Sequence, residues 1–299
     1  MRSCWTIRTT GVRAPGSVLD LLLQPLTLGF MQRALLASVL VGALTALVGV
    51  YVVLKGLAFI GDAVSHAAFP GVVAAFMLKL PIYPGAVIAA VLTAVGIGWV
   101  GRRAGLRLDT AIGVLFAGAF AAGVLLMSTI KGYVGDLMSF LFGNVLAVSP
   151  SDLAILSLLS LLVALAVGAT YKELLFATFD PLGAQAAGYP VGLLEYGLLV
   201  LVALAIAVSI QVVGIILVVA MLVTPAATAQ LLTDRFGRML VLAVVVSVLE
   251  GIVGLYASFY GNWASGATIV LVETLVFGVV LLLSPRRRSL IGHAAGSQP

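Results

Sequence analysis

Asp62 and His66 stand four residues apart in GDAVSHAAFPG, residues 61–71. On a helix that spacing stacks both side chains on one face, about 6 Å apart at their Cβ atoms. A carboxylate and an imidazole so placed can share one cation. Pro70 lacks the amide that would bond the carbonyl of His66, so a third oxygen is expected beside them. Imidazole with carboxylate suits first-row divalent metals such as Zn, Mn or Fe. Two side chains make an incomplete cage, as expected of a site that must release its ion rather than hold it for structure. In a soluble helix the pair would more often be a hydrogen bond that fixes packing, so its surroundings decide its meaning.

Those surroundings are apolar. Of 299 residues, 62% are hydrophobic and 9% charged, against about 45–50% and about 25% for a soluble domain. The chain lacks the polar residues to cover a water-facing surface and reads as an integral membrane protein. Its apolar stretches are continuous and rich in Leu, Val and Ala, not alternating as in a strand-built barrel, so the spans are helices. A net charge of +5 could suggest a nucleic-acid binder, but the basic residues sit in short links between apolar runs, as in cytoplasmic loops. Cys4 is the one cysteine, which excludes an internal disulfide or a thiolate metal cluster.

The spans are expected at 28–54, 57–78, 83–101, 110–130, 152–171, 196–219, 239–258 and 266–284. A short apolar piece at 220–233, with Thr224 and Pro225 inside, reads as a broken or re-entrant helix. The stretch 132–148 is ambiguous because Asp136 and Asn144 interrupt it. Arg102, Arg103 and Arg107, then Arg235 and Arg238, then Arg286 to Arg288 mark three cytoplasmic positions. An even number of crossings between them requires 220–233 to return across the membrane and 132–148 not to cross. The count is eight or nine, in an all-α, multi-pass bundle at 18–284. Residues 1–17 read as a disordered tail, with translation from Val18 as a start-site hypothesis, and 285–299 as a cytoplasmic tail.

An ionisable group at membrane depth costs about 2.5–3.5 kcal/mol, while Ser, Thr or Asn would fix packing more cheaply. This favours a functional reading of Asp62 and His66. Glu250 and Glu273 also fall within spans, where they could face a pore, pair with one another or sit near an interface. Gln211 reads as an interhelical hydrogen bond, and Trp99 and Trp263 as interface anchors. Pro70, Thr224 and Pro225 mark helix breaks; Pro225 frees the carbonyl of Met221 and could shape a gate or only bend the helix. The chain has no G-x-x-x-x-G-K-[ST] phosphate loop, no G-x-S-x-G and no H-E-x-x-H, so neither ATP hydrolysis by that route nor membrane hydrolase chemistry has support.

GDAVSHAAFPGVVAAF, SFLFGNVLAVSPSDL at 139–153, FATFDPLGAQAAGYPV at 176–191, QVVGIILVVAMLVTPAATAQLLTDR at 211–235 and SGATIVLVETLVF at 265–277 together resemble the permease subunit of zinc and manganese uptake ABC transporters, the ABC-3 metal permeases. The resemblance covers 18–284. It implies a prokaryotic cell-membrane permease with no permanently bound cofactor, carrying Zn2+ or Mn2+, or Fe2+, as cargo. It also implies a homodimer driven by cytoplasmic ABC ATPase subunits and fed by an extracytoplasmic metal-binding protein, with no nucleic-acid partner.

By position, Asp62 and His66 match the Asp and His of the family's GD-x-x-SH motif, taken to face the ion path; Glu250 and Glu273 are not demanded by it. The segment of Asp180, Pro181, Leu182, Gly183, Ala184, Ala187 and Gly188 matches the short helix that sits in a groove on the ATPase. Asp180 with Pro181 fits an N-cap and first-turn pair, and Gly188 to Pro190 ends the helix. The implied mechanism is alternating access, in which that helix moves with the ATPases and the two copies rock about their interface. A secondary divalent-cation transporter without an ATPase is the alternative; co-purification with an ATP-binding partner separates the two.

Overall fold

The computed structural model describes residues 23–130 and 145–284, which are helical without a strand. Among them, nine segments are long and apolar enough to cross a membrane. Helix α1 (Gly29–Leu54) is the first span. Helices α2 (Ile60–Ala67) and α3 (Phe69–Met77) share the second, and α4 (Ile82–Arg103) and α5 (Leu108–Ser128) are the third and fourth. A 3-10 turn at Val145–Ala147 precedes α6 (Pro150–Ala169), the short helices α7 (Tyr171–Phe179) and α8 (Pro181–Ala186), and α9 (Val191–Val213). Helices α10 (Ile215–Leu232), α11 (Phe236–Gly261) and α12 (Ser265–Leu283) complete the bundle. The expected tails at 1–17 and 285–299, and residues 132–144 of the ambiguous stretch, lie outside the described residues.

The boundary expected at 219 is displaced. Helix α9 ends at Val213, and Gly214 (φ +86°) turns the chain directly into α10. That left-handed backbone favours a residue without Cβ. Residues 215–219 therefore belong to the next span, and α10 is a continuous 18-residue helix with Pro225 inside it, not a short re-entrant piece. Apolar residues run unbroken through the turn and leave no polar mark of it.

The start of α9 and the start of α11, which follows α10, both return to the C-terminal end of α1. Lys55 pairs with Glu195 at 3.6 Å, and the Tyr51 ring meets the Phe236 ring at 5.2 Å between centroids. The nine spans among the described residues place the basic links at 102–107 and 235–238 at this same end, with the start of α1 at the other.

Helices α1 and α9 are the most enclosed, and α5, α6 and α12 are the outermost. The interior is built by close approach of backbones. A Cβ on Gly49 of α1 would stand 2.0 Å from the Leu222 carbonyl oxygen of α10. On α3 and α4, Gly71 and Gly85 face each other's carbonyl oxygens at 2.1 and 2.4 Å from where Cβ atoms would lie. Small residues permit such contact where lipid supplies no hydrophobic drive between helices. On the outer face of the membrane end, Ser149 and Asp152 form a capping box for α6, and the Tyr83 hydroxyl of α4 donates to the Asp152 carboxylate.

Candidate metal path

The helix carrying Asp62 starts part-way along the bundle. A Cβ on Gly61 would meet Leu222 Cδ2 at 2.8 Å, and Leu222 lies near the middle of α10. Asp62, the third residue of α2, is therefore level with the middle of α10, and His66 lies one turn further along. The Ser65 hydroxyl bonds back to the Gly61 carbonyl at 2.6 Å, so it asks nothing of its neighbours. The chain is interrupted at Ala68, and Pro70 occupies the opening turn of α3.

The spacing read from the sequence brings the two side chains together: His66 Nε2 lies 3.5 Å from Asp62 Oδ1. His66 is wedged between two rings of α5, Phe116 at 5.7 Å and Phe120 at 5.4 Å between centroids. Its Nδ1 is buried without a hydrogen-bond partner among the described residues. The Asp62 side chain keeps 48% of its surface open and His66 keeps 29%. A half-open carboxylate at this depth cannot face acyl chains cheaply, so its open side must meet water or another protein surface. Nothing in the sequence pointed to Phe116 and Phe120; they lie some fifty residues away and become visible only when α5 packs on α2.

Glu250 of α11 and Glu273 of α12 are almost wholly buried, at 3% and 0% exposure. Gly254 sits against Ile269, and one turn along this antiparallel pair brings Glu250 level with Glu273. Their carboxyl oxygens have no hydrogen-bond partner among the described residues. Helix α11 packs on α1, α10 and α12, and α12 packs on α10 and α11, whereas α2 packs on α5, α9 and α10. The two glutamates are thus not gathered with Asp62 and His66, and among the described residues no three acidic, His or Cys side chains form a metal cage.

The second proline also has a distinct setting. The Met221 carbonyl that Pro225 leaves without its helical donor is approached by the Thr45 hydroxyl of α1 at 3.3 Å, while Thr45 bonds its own Val41 carbonyl at 2.7 Å. Thr224, beside Pro225, has its carbonyl taken by the Thr228 hydroxyl at 2.8 Å. This break is tied to a neighbouring helix within the protomer. Gln211 Nε2, expected to bond between helices, has no partner among the described residues. Trp99 and Trp263 are exposed at span ends.

At the basic end, α8 is capped as its sequence suggested. The Gly183 amide donates to Asp180 Oδ1 at 2.8 Å, with Pro181 in the first turn. Gly188 (φ +88°) closes the segment after Ala187. Ala184 is buried, while Leu182 is 78% exposed and the neighbouring Phe179 is also open.

Residues 27–284 match the family described as the ABC 3 transport family. The chain belongs to that family. It is 44% identical over 275 residues to "Manganese transport system membrane protein MntC" of Halalkalibacterium halodurans, covering 92% of this chain and 94% of that relative. It is 38% identical over 268 residues to "Probable iron transport system membrane protein" of Haemophilus influenzae, covering 90% and 98%. The structure titled "PsaBC from Streptococcus pneumoniae in complex with Fab" superposes with a TM-score of 0.80 at 34% identity, covering 92% of this chain and 99% of that one. An inward-facing structure of a putative metal-chelate type ABC transporter shares the fold, with a TM-score of 0.72 at 17% identity and coverage of 90% and 91%. The ABC-3 chain is therefore a multi-pass membrane permease of the metal ABC importer class, a transport subunit.

Proposed function

We propose that this chain forms the ion path of an ATP-driven manganese importer as a homodimer, with ATP hydrolysed by a separate cytoplasmic ATPase. The observation that carries the reading is the half-open Asp62 beside His66, level with the middle of a membrane-length helix. Each copy offers one carboxylate and one imidazole. Two copies facing each other would offer four donors and would cover the open side of Asp62. Such an N/O donor set binds Mn, Fe and Zn; the relatives named for manganese and iron transport favour Mn2+ as cargo, with Fe2+ next. An extracytoplasmic metal-binding protein would deliver the ion at the end of the bundle opposite Lys55. The exposed apolar side chains of Leu182 and Phe179 on and beside α8 would seat in the ATPase, so that this short capped helix passes on its movement.

The test is Mn2+ uptake by the complete complex in proteoliposomes. Wild type should import Mn2+ only with ATP inside, and Asp62→Ala with His66→Ala should abolish import while the complex still assembles. Uptake that persists in the double variant would refute the site, and uptake without an ATPase would refute the ATP-driven reading.

A further inference from the structure

Three charged side chains meet at the basic end of the bundle. Glu195, in the opening turns of α9, takes Arg102 Nη2 from the last turn of α4 at 2.5 Å and Lys55 Nζ from the link after α1 at 3.6 Å. The Arg102 guanidinium also lies over the Tyr196 ring at 4.8 Å. It is pressed flat on α9: a Cβ on Gly192 would stand 2.2 Å from Arg102 Nη1. Lys55, Arg102, Glu195 and Tyr196 line a cavity of about 140 Å3 with Leu57 and Leu106. A bidentate-capable guanidinium held by a carboxylate and a ring is oriented more firmly than a solvated surface pair.

The cluster stands between two parts of the machinery. On one side the chain runs from α8 through Gly188 and Pro190 straight into α9, so a shift of α8 reaches Glu195 within two short turns of chain. On the other side Lys55 and Gly56 (φ +68°) open the link that descends to α2 with Asp62 and His66. Arg102 lies in the last turn of α4, whose Gly85 is locked against Gly71 of α3, the continuation of α2. Helix α9 thus holds both connections to the ion-binding span through one carboxylate.

We propose that Glu195, with Lys55 and Arg102, is the positioning link that carries movement of the ATPase-docking helix to the helix bearing Asp62 and His66. The inference rests on the reading of α8 as the docking helix. It concerns coupling, not ion binding, since none of the three side chains touches the Asp62 and His66 pair.

The readout is the number of Mn2+ ions imported per ATP hydrolysed by the complete complex in proteoliposomes. Glu195→Gln keeps size and removes both ion pairs; the ratio should fall about fivefold, the equivalent of one modest interaction, while ATP hydrolysis and thermal stability stay near wild type. Glu195→Asp should restore part of the ratio. Lys55→Gln, which leaves the Arg102 pair, should cause a smaller fall, and adding Glu195→Gln to Lys55→Gln with Arg102→Gln should bring no further fall. An unchanged ratio in Glu195→Gln, or a fall in stability, hydrolysis and uptake together at constant ratio, would overturn the proposal. The docking reading fails separately: Leu182→Asp should release the ATPase during purification, and a complex that stays intact with that variant would refute α8 as the docking helix whatever Glu195 does.

Discussion

Gly49→Ala should be among the most damaging single-methyl changes in the chain. The added Cβ would lie 2.0 Å from the Leu222 carbonyl oxygen and 3.0 Å from its carbon, both backbone atoms that cannot rotate away. Ordinary contact needs at least about 3.4 Å, so α1 and α10 must part by more than 1 Å along a close-packed seam. Overpacking of this kind costs about 1–3 kcal/mol, less up to about 1 kcal/mol returned by the better helix propensity of Ala. The seam also carries the Thr45 contact to Met221, and Leu222 supports Gly61 beside Asp62. Stability and uptake should therefore both decline. The control is Gly113→Ala on α5, where nothing lies within 4 Å of the new atom and the change should be neutral or stabilising. Thermal melting of the purified protein in one detergent compares the two directly. Equal melting temperatures for Gly49→Ala, Gly113→Ala and wild type would refute the account of this seam.

Other consequences are open to the same measurements. Thr45→Val removes the hydroxyl that reaches the Met221 carbonyl and should lower stability by about 1 kcal/mol, whereas an unchanged melt would mean that the tie is not formed. Asp152→Ala removes the capping box of α6 and the acceptor for Tyr83; a loss of about 1–2 kcal/mol is expected, and Tyr83→Phe should reproduce only part of it. Glu250→Gln with Glu273→Gln keeps the shape of two buried side chains that stand apart from Asp62 and His66. Mn2+ uptake should survive this double change, and its abolition would place the glutamates on the ion path.

The parts legible in the sequence were those written locally. Asp62 and His66 are four residues apart on one helix, so their meeting follows from helical spacing. The α8 segment is framed by Asp180, Pro181 and Gly188, each with a conformational preference of its own. Most spans are delimited by charges or polar links, and those boundaries fall within a few residues of the helices. The α9–α10 turn escaped because Gly214 reverses the chain within uniformly apolar sequence. Long-range partners escaped for a different reason: Arg102 and Glu195 are 93 positions apart, and Tyr83 and Asp152 are 69 apart. Each looks like an ordinary end-of-helix polar residue until packing brings its partner to it. The two glutamates were visible as costly intramembrane charges, but only the packing of α11 and α12 shows that they face each other and not the Asp62 pair.

The central claim is that the transported ion is held by Asp62 and His66. Pulsed electron paramagnetic resonance of Mn2+ bound to the permease–ATPase complex in nanodiscs, without the metal-binding protein and without nucleotide, reads this directly, because an imidazole ligand imprints nitrogen modulation on the manganese signal. The modulation should be present in wild type, vanish in His66→Ala, and persist in a variant of the tail residue His293, the chain's only other histidine. Nitrogen modulation unchanged in His66→Ala would contradict the assignment.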